Sequence, residues 1–144
     1  MKILVWVGTS KISGQGLFAA QDIKKDTRII RYKGEKISKA ESDRRATNGN
    51  AYIFQFNHRY DIDGKTLQNK ARYINHSCNP NCETLQTQRA IWIVALRDIH
   101  EGEELTYNYG YGLDEYEKYP CTCEAENCCG YILHQRYWER IKEK

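Results

Sequence analysis

Proline and long apolar runs are scarce in this chain. Its 144 residues hold two prolines, Pro80 and Pro120, each close to cysteines, which excludes proline-rich linkers and recognition tracts. No internal repeat or low-complexity tract is present. The one early apolar run, Ile3 to Val7, is too short for a membrane span or the core of a secretory signal. An intracellular protein is therefore expected, with no membrane contact. In a reducing compartment, six cysteines read as metal ligands or free thiols rather than disulfides. Charge of one sign is also lacking. A net charge of +3 gives no sign of the concentrated basic face that nucleic-acid binding needs, so no direct nucleic-acid contact is expected.

What is present fits one domain with a real core, since a chain of this size buries roughly 70% of its unfolded surface. Eleven tyrosines stand against three Phe and three Trp. Tyrosine suits half-wet channels, although many of the eleven are ordinary strand residues. The charge is uneven. From Glu101 to Cys128 there are eight acidic residues and one basic, Lys118; with that stretch at −7, the remainder carries +10. Such a stretch is an ordinary solvated loop or an acidic rim attracting a basic peptide.

The pattern is mainly β. Strands are predicted at Ile3–Val7, Leu17–Ala20, Arg28–Tyr32, Ala51–Phe56 and Ile91–Leu96, the last buried on both faces. Ser38-Lys39-Ala40-Glu41 has the form of a capping box opening a helix that stops near Asn48-Gly49. A second helix is predicted over roughly Leu133 to Lys142. In it, Tyr137, Trp138 and Ile141 form an apolar stripe for docking back or for a homodimer contact.

Four segments carry chemistry. Ser13-Gly14-Gln15-Gly16 is a glycine pair after a strand, without the third glycine and βαβ unit of a dinucleotide site. Arg72-Tyr73-Ile74-Asn75-His76-Ser77-Cys78-Asn79-Pro80-Asn81-Cys82 is an unusual polar string, and Glu104-Leu105-Thr106-Tyr107-Asn108-Tyr109 another. Read alone, Asn75 and His76 are a turn with a satisfied histidine, and Tyr107 and Tyr109 are core residues on one strand face. Cys121-x-Cys123-x4-Cys128 supplies three thiolates where a structural zinc wants four.

Taken together, in this order, these segments resemble the signature motifs of the SET-domain protein lysine methyltransferases, including their zinc-binding post-SET tail. The resemblance runs from about Ser10 to Leu133. It implies several small sheets around a pseudoknot. The SET domain would occupy residues 1–113, the post-SET segment 114–133 and a C-terminal helix 134–144. It also implies S-adenosyl-L-methionine as cofactor, held by Ser13, Gly14, Gln15, Gly16, Tyr52, Asn75, His76, Tyr109, Thr122 and Ile132. Tyr32, Tyr52, Tyr107 and Tyr109 match the family's channel positions, with Tyr109 as the catalytic tyrosine. One structural Zn2+ would be bound by Cys78, Cys121, Cys123 and Cys128, with Cys129 as the alternative fourth ligand. Cys82 is left without a role.

The reaction is methyl transfer to a lysine amine, which must first lose its proton and its water. A narrow aromatic channel favours the neutral amine and aligns it. Tyr107 stands at the family's Phe/Tyr switch position, which implies mono- or dimethylation. The expected partner is a histone or another basic tail. Localisation would be nuclear and chromatin-bound in a eukaryote, or cytoplasmic or host-delivered in a microbe. The second reading is a silent SET module that binds a peptide or protein partner, or a methyltransferase of a non-histone protein, and a zinc-stapled nucleic-acid binder is the third. A Cys-rich segment before the domain and a reader domain are missing, and the insert between Tyr32 and Tyr52 is short. The pattern fits both a small microbial or viral protein and an excised catalytic domain, with the Met1 start favouring a complete small protein.

Overall fold

The structure, a computed structural model, describes residues 3–114 and 116–142. Strands β1 (Val5–Thr9) and β2 (Gln15–Ala19) open the chain, followed by β3 (Arg28–Arg31) and β4 (Glu35–Ser38). Helix α1 (Lys39–Thr47) leads to β5 (Ile53–Gln55) and β6 (Tyr60–Asp63). A 3-10 turn (Lys70–Tyr73) precedes β7 (Asn75–His76), β8 (Cys82–Gln86), β9 (Ile91–Ala95) and β10 (Thr106–Tyr107). Helix α2 (Trp138–Lys142) ends the described chain.

The described strands form four small sheets: β1–β2, β3–β9–β8, β4–β6–β5, and the parallel pair β7–β10. β9 is the central strand of its sheet, and Ile91, Ile93 and Ala95 are buried in the main core with Leu17, Ile74, Ile99 and Leu105. Trp92 is the half-buried exception, on the outer face under Arg28. Strand positions differ from the sequence expectation at their ends. Ile3 is 74% exposed and stays outside β1, which continues instead to Thr9 by pairing with Gln15.

Helix α1 begins as its capping pattern predicts, with Ser38 Oγ accepting from Glu41 N at 3.2 Å. The reciprocal half of the box is missing, because the Glu41 carboxylate turns to Arg44 and Arg45 instead. The C-terminal helix is shorter than predicted. His134 Nδ1 accepts from Arg136 N and starts a 3-10 turn over Gln135–Tyr137, and α-geometry begins only at Trp138. The apolar stripe docks back: Trp138 is buried in a second cluster with Cys78, Tyr116 and Leu133, and Tyr137 and Ile141 pack against it. The Trp138 indole N–H donates to the Leu133 carbonyl at 3.1 Å.

The pairing that organises the molecule is β7 with β10, where Asn75 faces Thr106 and His76 faces Tyr107. The two signature segments therefore lie side by side. Asn81, 3% exposed, locks them together. Its amide donates to the Glu104 carbonyl at 2.8 Å and accepts from Thr106 N at 2.9 Å. Replacing Asn81 by Ala would strand these two backbone groups. Denaturant unfolding of Asn81→Ala should show a loss of roughly 2–4 kcal/mol. A change within about 0.5 kcal/mol, typical of surface substitutions, would show that the clamp is not structural.

Candidate active site

A cavity of about 420 Å³ opens where these elements converge. Ser13, Gly14 and Gln15 line it together with Tyr32, Tyr52, Phe54, Ile74, Asn75, Tyr107 and Tyr109. Its size falls within the roughly 300–1,000 Å³ of small-molecule sites. Arg72, Tyr73 and Tyr111 also line it and, like Ala51, Ile53, Phe54 and Ile74, are additions to the residues proposed from sequence. The first two head the polar string, and Tyr111 continues the alternation of Tyr107 and Tyr109.

The glycine loop is held from below. Gly14 sits at φ +47°, a left-handed value that glycine adopts freely. The Asn75 amide nitrogen lies 3.0 Å from the Ser13 carbonyl, 3.1 Å from the Gln15 carbonyl and 2.9 Å from the Glu104 carboxylate. Ser10 Oγ donates to Glu104 at 2.7 Å and accepts from Ile12 N at 2.9 Å. Gly16 does not line the cavity. A Cβ there would run into the Glu104 carboxylate and Ser10, so its bare backbone makes room for this network.

The tyrosines stack as a wall. Tyr107 lies 5.0 Å from Tyr109 and 6.2 Å from Phe54 between ring centroids. The Tyr109 hydroxyl donates to the Ile74 carbonyl at 2.6 Å, and the Tyr32 hydroxyl to the Tyr52 carbonyl at 2.7 Å. Each donor is thus occupied, leaving lone pairs as acceptors. Burial pushes the hydroxyls of Tyr32, Tyr107 and Tyr109 well above the usual tyrosine range, so all three stay neutral. Arg72 stacks over Tyr52, 4.3 Å from its centroid, and donates to the Lys65 carbonyl at 2.7 Å. Its Nε is buried without a hydrogen-bond partner among the described residues.

His76 stands behind the tyrosine wall. Its Nδ1 accepts from Tyr109 N at 3.1 Å, which places the ring proton on Nε2, facing Cys78 Sγ at 3.6 Å. Burial pushes its pKa down to about 4. The sulfurs of Cys78, Cys121, Cys123 and Cys128 lie within 4.8 Å of one another. Cys78 Sγ is 3.9 Å from Cys121 Sγ and 3.7 Å from Cys128 Sγ. These separations suit a tetrahedron with Zn–S bonds of about 2.3 Å. Cys129 stands apart, its thiol donating to the Tyr131 carbonyl at 3.2 Å, and Cys82 is buried in the main core. The other two expected cofactor residues lie off the cavity. Thr122 Oγ1 donates to the Ile12 carbonyl at 2.7 Å, tying the cysteine tail to the glycine loop, and Ile132 N donates to the Tyr119 carbonyl at 2.8 Å.

Cys78→Ser should lower bound zinc well below one per chain, whereas Cys129→Ser should leave it unchanged. Plasma emission analysis of dialysed protein reads both. Full zinc in Cys78→Ser would remove Cys78 from the ligand set.

A family model described as the SET domain matches residues 14–110. The chain is 43% identical over 134 residues to "Histone-lysine N-methyltransferase trr" of Drosophila melanogaster, covering 86% of this chain and 6% of that protein. It is 41% identical over 135 residues to the "Histone-lysine N-methyltransferase, H3 lysine-4 specific" of Schizosaccharomyces pombe, with 87% of this chain and 15% of that protein aligned. Identity to the human "Histone-lysine N-methyltransferase 2D" is 40% over 134 residues, 86% of this chain and 2% of that protein. The chain thus spans only a small part of each of these relatives. With the family model covering most of its length, the chain belongs to the SET-domain family of protein lysine methyltransferases.

Proposed function

We propose that this chain methylates a lysine in a basic, histone-like tail, using S-adenosyl-L-methionine, and stops at the mono- or dimethyl product. The observation that carries this reading is the tyrosine-walled cavity beside the glycine loop. The residues present suit the cofactor. Ser13, Gly14 and Gln15 offer backbone, and Arg72 Nε is an orphaned buried donor that fits an amino-acid carboxylate. When bound, the cofactor supplies an electrophilic methyl group on a sulfonium sulfur.

The chain's own residues do the rest. The desolvation that holds Tyr32, Tyr107 and Tyr109 neutral also disfavours a charged lysine, so the amine releases its proton before reacting. The hydroxyls of Tyr32 and Tyr109, with their protons given to backbone carbonyls, present acceptor oxygens that orient an amine and a polarised methyl group. Beside the cavity lies a recess lined by Thr47, Asn50, Tyr111, Gly112, Asp114 and Tyr119, which shares Ala51, Ile53 and Tyr111 with it. Asp114 there, and exposed Glu117, Glu124 and Glu126 on the tail, support a basic peptide as substrate. The names of the curated relatives support a histone, and with it a place at chromatin.

The test is methyl transfer from labelled cofactor to core histones. Label on a histone lysine should fall on the order of 100-fold in Tyr109→Phe. No label on any histone or on any protein of a cell lysate, with cofactor bound, would turn the reading to a silent binding module, and label on a lysate protein alone would move the substrate away from histones. Product degree is a separate test. Mass spectrometry at long times should show little trimethyl-lysine from the native chain and more from Tyr107→Phe; abundant trimethyl product from the native chain would remove the limit assigned to Tyr107.

A further inference from the structure

Two depressions of about 510 and 500 Å³ lie outside the active-site cavity, the first sharing Tyr32 with it. They share Arg31, Gln88, Arg89 and Ala90; Lys33 and Lys36 border one and Arg28 the other. Among the described residues, no aspartate or glutamate lines either depression. All five cations are exposed, and none is ion-paired with a described residue. Arg28 lies 5.7 Å from the Trp92 ring centroid and Lys36 Nζ 4.5 Å from that of Tyr60, contacts that leave their charge unneutralised.

The fold gathers these residues from three places. Pairing of Arg28 with Val94 and of Arg31 with Trp92 puts both arginines on the outer face of β9. The β8–β9 turn, closed by Thr87 N donating to the Ala90 carbonyl at 2.8 Å, carries Arg89. Lys33 and Lys36 follow as β3 runs into β4. Glu83, across Val94 from Arg28, is the single acidic residue in β3, β8 and β9.

We propose that this face docks on the phosphate backbone of duplex DNA. A net charge of +3 argues against nucleic acid only when the charges are mixed, and here they are separated in space. The acidic stretch contributes Asp114 to the recess beside the active site, while the five cations line two other depressions. A basic tail that hangs from a DNA-wrapped particle presents both complements at once. The acidic rim meets the tail and the cationic face meets the phosphates. Exposed Arg and Lys side chains, drawn from two strands and a turn, suit a row of evenly spaced phosphates. The choice of DNA rests on the histone-like substrate proposed above.

The experiment is fluorescence anisotropy of a labelled short duplex of arbitrary sequence, titrated with the full chain at several salt concentrations. Five phosphate contacts predict a log–log salt slope near −4.5, or about 500-fold weaker binding between roughly 50 and 200 mM salt. In Arg28→Gln/Arg31→Gln/Arg89→Gln the slope should fall to about −1.8, with only about tenfold weakening over that range. Arg89→Glu, in an exposed turn, should weaken binding without threatening the fold. Methylation of a free histone peptide by each variant should match the native chain. Absence of duplex binding at the lowest salt, equal binding by native chain and variants, or tighter binding to polyglutamate than to DNA would each overturn the proposal. Duplex binding with these slopes supports the surface even if no histone peptide is methylated, and that second result would count against the methyltransferase reading alone.

Discussion

The parallel contact of Asn75-His76 with Thr106-Tyr107 is the constraint on which the rest of the structure depends. Adjacent strand residues point to opposite faces, so two neighbouring side chains serve two different sites. Asn75 reaches the glycine loop and Glu104, whereas His76 turns inward to Tyr109 N and Cys78. On β10 and just beyond it, residues two apart fall on one side. Tyr107 and Tyr109 share a face and together form the cavity wall. A slip of one residue in this pairing would exchange the faces and dismantle both sites.

The contact also joins the metal cluster to the cavity. Cys78 lies two residues beyond His76 and belongs to the same cluster as three cysteines of the tail. The tail returns to the glycine loop through Thr122 and Ile12. A run of rings links the same regions on the other side: Tyr109 to Tyr111 at 5.9 Å and Tyr111 to Tyr119 at 4.8 Å. Zinc bound by the four thiolates would hold the second core, with Leu133 and Trp138, against the first. An ion bound there, outside the cavity, would thereby bear on the shape of the glycine loop.

Much of this is legible in the sequence where the signal is local. The Ser38 cap, the apolar run of β9 and the cysteine spacing each act over a few residues, and each appears where the pattern places it. Contiguous motif strings identified the cavity residues Asn75, Tyr107 and Tyr109. What the sequence hides depends on distant partners. Glu104 stands in a motif, but its carboxylate works through Ser10, 94 positions earlier. Gly16 is bare because Glu104 fills the space that a side chain would take. The cations at 28, 31, 33, 36 and 89 are scattered in the chain and meet only after β3 pairs with β9.

The central claim is that metal and cofactor sites are coupled through β7 and the tail. Calorimetric titration of S-adenosyl-L-methionine into zinc-loaded and zinc-stripped protein tests it directly. The account predicts weaker cofactor binding without zinc, by a factor within the roughly 5–150-fold of ordinary site coupling, and by reciprocity an equally tighter zinc affinity, read by chelator competition at equilibrium, when cofactor is bound. Equal cofactor affinity in the two forms, both folded by circular dichroism, would contradict it.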